Sequence, residues 1–129
     1  MKRLAAAALI ALAACAHPAS CVAGKLTPTY LPPGLRRAAV HPLVPGGDAA
    51  TWRDGHRLVQ LVTNVSANLG DDVRPTKVRG FVANYGPTGL PAAPVAVEWR
   101  DRCNTPYALL AKEISAAELL RIANGLRPA

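Results

Sequence analysis

Asp54, His56 and Arg57 lie within four consecutive positions, a spacing that could gather a carboxylate, an imidazole and a guanidinium for acid–base work. A catalytic histidine also needs an orienting partner and a nucleophile. The hydroxyls on offer nearby are Thr63 and Ser66, and nothing in the spacing commits either to the task. The same residues flank Asp54-Gly55, a favoured pair for a tight hairpin turn, so turn polarity accounts for them without chemistry. Glu98 and Asp101 could form a carboxylate pair, but Arg100 and Arg102 stand beside them, as on a solvated strand face running into a turn. The cysteines, Cys15, Cys21 and Cys103, have no Cys-x-x-Cys spacing, and no His-rich tract accompanies them, so no metal site is expected. The chain is expected to be non-enzymatic, with no catalytic residues, no metal and no cofactor.

Cys15 is the residue whose setting most closely specifies a reaction. Met1-Lys2-Arg3 is a short basic start, Leu4 to Ala14 is an uncharged apolar run, and small residues follow. This is the order of an export signal. The run is too short for a bilayer whose hydrocarbon, about 30 Å thick, needs roughly 20 apolar residues. Within it, Leu12-Ala13-Ala14-Cys15 places an aliphatic residue and two small residues before a thiol, and this resembles the signal of bacterial lipoproteins. The resemblance implies that the Cys15 thiol is alkylated with diacylglycerol, that residues 1–14 are removed, and that Cys15 is then acylated on its amino group. Each buried methylene contributes about 0.8 kcal/mol, and one acyl chain holds only marginally, so several chains on one residue make the attachment effectively permanent. The alternative is an ordinary secretory signal cut at the small-x-small site Ala14-Cys15-Ala16, giving a soluble secreted protein. An odd cysteine count in an exported chain leaves one thiol to explain. With Cys15 carrying lipid, Cys21 and Cys103 remain as a disulfide pair, which an extracytoplasmic compartment allows.

The whole chain carries 15 basic and 8 acidic residues. Loss of Lys2 and Arg3 with the signal leaves 13 and 8, a net charge of +5. Arg36, Arg37, Arg53 and Arg57 belong to neighbouring expected strands and are expected to form a basic patch, facing the membrane, an acidic partner or a wall polymer. Anionic headgroups attract such side chains by about 1 kcal/mol each. Export argues against nucleic acid, and no nucleic-acid-binding motif is present. Trp52 and Trp99 are read as core or sheet-face residues.

The elements that would carry these residues are mostly strands. Ala16 to about Tyr30, with Pro18, Gly24 and Pro28, has no sustained periodicity and reads as a tether, so the domains are 1–14 signal, 15–30 tether and 31–129 folded body. Strands are expected over Leu35–Leu43, Ala49–Arg53, His56–Val65, Lys77–Tyr85, Pro94–Arg100 and Pro106–Lys112, from β-branched content and alternation. Asp54-Gly55 joins the second and third as a hairpin. Ser115-Ala116-Ala117-Glu118 is a capping box, and Leu119, Leu120, Ala123 and Leu126 follow at helical spacing. An apolar helical stripe needs a sheet to cover. The expected fold is therefore α+β, an antiparallel meander of about five or six strands with a C-terminal helix packed on one face.

Leu31-Pro32-Pro33-Gly34, then Val78-Arg79-Gly80-Phe81-Val82, Val95-Ala96-Val97-Glu98-Trp99, Tyr107-Ala108-Leu109-Leu110 and a final helix opening Ser-x-x-Glu-Leu occur in an order that resembles a known group. It is similar to uncharacterised extracytoplasmic domains of bacterial lipoproteins, also attached to some anti-sigma factors and sporulation-linked membrane proteins. The resemblance covers roughly the last hundred residues and implies a fold more than an activity. The expected function is a lipid-anchored extracytoplasmic binding or sensing domain, with the membrane as partner through Cys15 and an envelope protein as a second. One alternative is a carrier of lipid or another apolar ligand, which requires a cavity lined by Val62, Val82, Val97 and Leu109. Another is a small hydrolase, which requires His56 beside a nucleophile.

Overall fold

The structure, a computed structural model, describes residues 24–129. Leu58–Thr63 (LVQLVT) and Pro106–Lys112 (PYALLAK) are buried on both faces through their middles, and only the terminal lysine is charged. A strand that is apolar on both faces is stable only at the centre of a covered sheet, and these two pair with each other there. In chain order the strands are β1 (Leu26–Pro28), β2 (Arg36–Ala38), β3 (Asp48–Arg53), β4 (Leu58–Thr63), β5 (Arg74–Val78), β6 (Phe81–Pro87), β7 (Val95–Arg100), β8 (Pro106–Lys112) and β9 (Leu126–Pro128), with helix α1 (Ala116–Asn124) before the last. Seven strands form one antiparallel sheet in the order β2-β3-β4-β8-β7-β6-β5, and β1 pairs with β9 in a separate two-stranded ribbon.

The α+β expectation is thus overturned: the chain is largely β, with a single nine-residue helix among the described residues. Nor is the sheet a simple meander. The β4–β5 connection carries the chain from the centre of the sheet to its far edge, and β5 to β8 return to meet β4. The expected strand over Lys77–Tyr85 is two strands. Arg79 (φ 52°) and Gly80 (φ 85°) both take the left-handed region, and Val78 faces Phe81 across a two-residue hairpin turn. Two consecutive positive φ values are what the type I′ turn requires. The first expected strand shortens to Arg36–Ala38, and beyond it the Gln60 side chain holds the loop through the His41 carbonyl and the Leu43 amide.

Two apolar layers cover the sheet. On one face Val59, Leu61, Val97, Trp99, Tyr107 and Leu109 pack with Leu119, Ile122 and Ala123 of α1 and with Leu126. On the other, Val62, Ala96, Ala108 and Leu110 are covered by loop residues including Leu43, Val65, Leu69 and Leu90. The helix starts at Ser115, whose hydroxyl accepts the Glu118 amide at 3.2 Å. The Glu118 carboxylate does not return to the cap; it accepts from the Tyr30 hydroxyl at 2.7 Å and ties the entry segment to the helix.

Candidate functional site

Arg53 is the residue around which the charged surface is built. In the ladder, Arg36 lies opposite Arg53, Arg53 opposite Leu58, and Leu58 opposite Lys112. Residues directly opposite in antiparallel strands share a face, so Arg36, Arg53 and Lys112 form one row across four adjacent strands, with Leu58 in the gap. All three cations are exposed. Like charges directly opposite each other are destabilising, yet none of the three has an ion-pair partner among the described residues. Arg53, Leu58 and Lys112 of the row line a cavity of about 270 Å³, with Val40, Leu43 and Ala92 in its apolar part and Asp54, His56 and Arg57 in its polar part.

The four arginines expected as one patch therefore divide. Arg36 and Arg53 stand in the row. Arg37 points to the helix side, where its guanidinium carbon sits 5.4 Å from the centre of the Trp52 ring. Arg57 is engaged locally. Its Nη2 lies 2.6 Å from Asp54 Oδ2 and also donates to the Pro33 carbonyl at 2.6 Å. Asp54 Oδ1 accepts the amides of His56 and Arg57 at 3.1 and 2.8 Å. The Arg57 amide, then the Arg57 side chain, hold the Asp54 carboxyl down at about 2. Lys112 belongs to the row but could not be found from sequence. It is remote from Arg53 in the chain, and only the β4–β8 pairing brings it into line.

The residues considered for catalysis stay apart or carry structural duties. His56 is at the hairpin, whereas Thr63 ends β4, five strand steps or about 17 Å beyond Leu58. Ser66 donates to Glu98 Oε2 at 3.1 Å, and the Ala67 amide joins it at 3.2 Å. Asp101 Oδ1 accepts the amides of Cys103 and Thr105 at 2.9 and 3.0 Å, closing the β7–β8 turn. No group of three or more metal-ligating side chains occurs among the described residues. The side chains required for a carrier cavity do not converge. Val97 and Leu109 are buried on the helix side, Val62 is buried on the opposite side, and Val82 is exposed.

At the opposite end of the sheet from the row, the chain enters the fold. Gly24, Lys25, Arg79, Asp101, Arg102 and Cys103 border a common open cavity of about 440 Å³. The Tyr107 hydroxyl lies 3.5 Å from the Gly24 carbonyl. Burial, then the neighbouring Asp101 charge, raises the Tyr107 phenol above its ordinary value. Trp99 stacks on Tyr107 with ring centres 5.6 Å apart, and its Nε1 has no hydrogen-bond partner among the described residues. No described helix is long and apolar enough to cross a membrane. Cys15 and Cys21 lie outside the described residues.

Comparison with protein-family models, with curated proteins and with solved structures returned no match.

Proposed function

We propose that the protein is a lipid-anchored extracytoplasmic binding domain, without enzymatic activity, that engages an acidic segment of an envelope protein. The observation that carries the binding half is the row Arg36–Arg53–Leu58–Lys112, three solvent-facing cations brought together by strand register beside a partly apolar cavity. Opposed arginines cost stability in the isolated domain. An acidic side chain lying over them removes that repulsion and adds charge-assisted hydrogen bonds, and arginine forks are suited to carboxylates. The cavity floor offers an apolar neighbour of the acidic group a place beside the charges. Cys15 supports the anchored half through the signal that precedes it.

The binding half is tested by titrating the protein with polyglutamate as the acidic probe. Binding should weaken at least tenfold on replacing Arg36, Arg53 and Lys112 with glutamine, and it should fall as salt rises, because exposed charges are screened within about 10 Å at 0.1 M. Replacing two cations outside the row instead, Arg37 beside Trp52 and Arg121 over the Tyr30 ring, should change it little. Equal losses from the two sets would sink the assignment. The anchored half is tested by labelling cells with a palmitate analogue. The wild type should take up label and Cys15→Ser should not; wild-type protein that is unlabelled and free in the medium would overturn it.

A further inference from the structure

The basic row and the point where the anchored segment enters the fold are at opposite ends of the sheet. Lys112 ends β8 and pairs with Leu58, whereas Tyr107 near the start of β8 faces Thr63 and reaches the Gly24 carbonyl. The five steps from Tyr107 to Lys112 separate the two ends by about 17 Å. The entry end has its own cations. Lys25, Arg79 and Arg102 surround the cavity that also holds Gly24, Leu26, Phe81 and Tyr107. The acid among them, Asp101, has its Oδ1 occupied by two amides of the turn. Lys25 and Arg102 are exposed and Arg79 is half-buried.

Resting on the anchored reading of Cys15, we infer that this entry end is the surface that lies on the bilayer, with Lys25, Arg79 and Arg102 against anionic lipid headgroups. The length of chain sets how far the domain can stand off, and the cations nearest the anchor favour the entry end as the face that settles. Nine residue steps join Cys15 to Gly24, at most about 32 Å when fully extended, so the anchor lets the entry end, the part of the described fold nearest to it in the chain, reach the headgroups. Each lysine or arginine near an anionic surface contributes about a fivefold gain in occupancy, and the attraction fades within one Debye length. Three cations at the entry end are inside that range when the end touches the surface. The Arg36, Arg53 and Lys112 row, about 17 Å further out, is beyond it. The row then points away from the membrane, where an acidic partner can reach it. Of the roles expected for the basic patch, this leaves Arg36 and Arg53 that of meeting an acidic partner rather than the membrane.

The mature lipidated protein, reconstituted in vesicles, carries the test. Lys25 and Lys112 mark the two ends, and their acetylation rates can be read by peptide mass spectrometry. On vesicles containing phosphatidylglycerol, Lys25 should be acetylated about fivefold or more slowly than on phosphatidylcholine vesicles, and Lys112 at the same rate on both. High salt should release Lys25, and Arg79→Gln with Arg102→Gln should remove most of the protection. Slowing of Lys112 instead, or of neither lysine, overturns the orientation. Protein that does not float with phosphatidylcholine vesicles has no anchor, which overturns the anchored reading and the orientation together. Protein that floats but fails the acetylation pattern overturns the orientation alone.

Discussion

Asp54 follows β3 at the point where the chain turns back into β4. Its carboxylate closes the β3–β4 turn through two amides and holds Arg57, which in turn reaches the Pro33 carbonyl and fastens the entry loop. These contacts need the ionised form, and they hold the carboxyl at about 2 against an ordinary value of 3.8. A carboxylate depressed by folding stabilises the protein above its unfolded pKa and loses that contribution as pH falls through the folded one. The Asp54 share is therefore complete above about pH 4 and gone near pH 2. The melting temperature of Asp54→Asn should lie below that of the wild type at neutral pH, with the gap closing over this interval. A gap that stays constant down to pH 2 would show that the charge of Asp54 has no part in holding the turn. Gln60 makes the complementary point. It reads as one polar interruption of an apolar strand, yet it is fully buried and brackets the β2–β3 loop, with its amide on the His41 carbonyl and Thr51 hydroxyl and its oxygen on the Leu43 amide. Its partners are distant in sequence, so its role could not be read from spacing.

At the scale of elements, what the sequence disclosed was local and what it hid was pairing. Alternation and β-branched content placed residues in strands at β3, β4, β7 and β8, because burial there imposes its pattern directly on neighbouring side chains. The turn at Arg79-Gly80 is hidden within the single strand expected over Lys77–Tyr85, because arginine is not a usual left-handed residue and the alternation runs on across it. β1 and β9 were missed because each has three residues, each ends in proline, and their pairing spans almost the whole described chain. The turn yields a prediction. An ordinary side chain in the left-handed region costs about 1–2 kcal/mol, which asparagine partly escapes. Arg79→Asn should therefore raise the stability to urea by up to about 1 kcal/mol, while Arg79→Val, β-branched at the same φ, should lower it. The amide of residue 79 still donates to Asn124 Oδ1 in both variants, so the contrast reports the turn. The reverse order of stabilities would mean that the φ of this residue is not what limits it.

For the molecule as a whole, charge is legible in a chain and strand order is not, so the basic residues could be listed from the sequence but not arranged. Only the β4–β8 junction aligns Lys112 with Arg53, and only the meeting of Gly24 with the β7–β8 end opposes the row to the entry point. That meeting also bears on the thiols. Gly24 and Cys103 border the same cavity, and Cys21 is three residue steps before Gly24, a reach of about 10 Å. A disulfide needs its Cα atoms roughly 4.4–6.8 Å apart, which such a reach permits. We expect Cys21 and Cys103 to be bridged in the exported protein, closing a loop for which chain entropy assigns roughly 4–5 kcal/mol, with real bridges often giving less. The bridge would also shorten the free leash to the six steps between Cys15 and Cys21, at most about 22 Å, and so hold the entry end closer to the bilayer. Peptide mapping without reductant should recover the linked pair. Cys21→Ser should lower the unfolding free energy by roughly 2–4 kcal/mol and weaken the protection of Lys25 on anionic vesicles, because a longer leash lets the domain tumble. Recovery of a Cys15–Cys103 peptide would refute the bridge and the lipid anchor at one stroke, since a thiol that carries diacylglycerol cannot also be half of a disulfide.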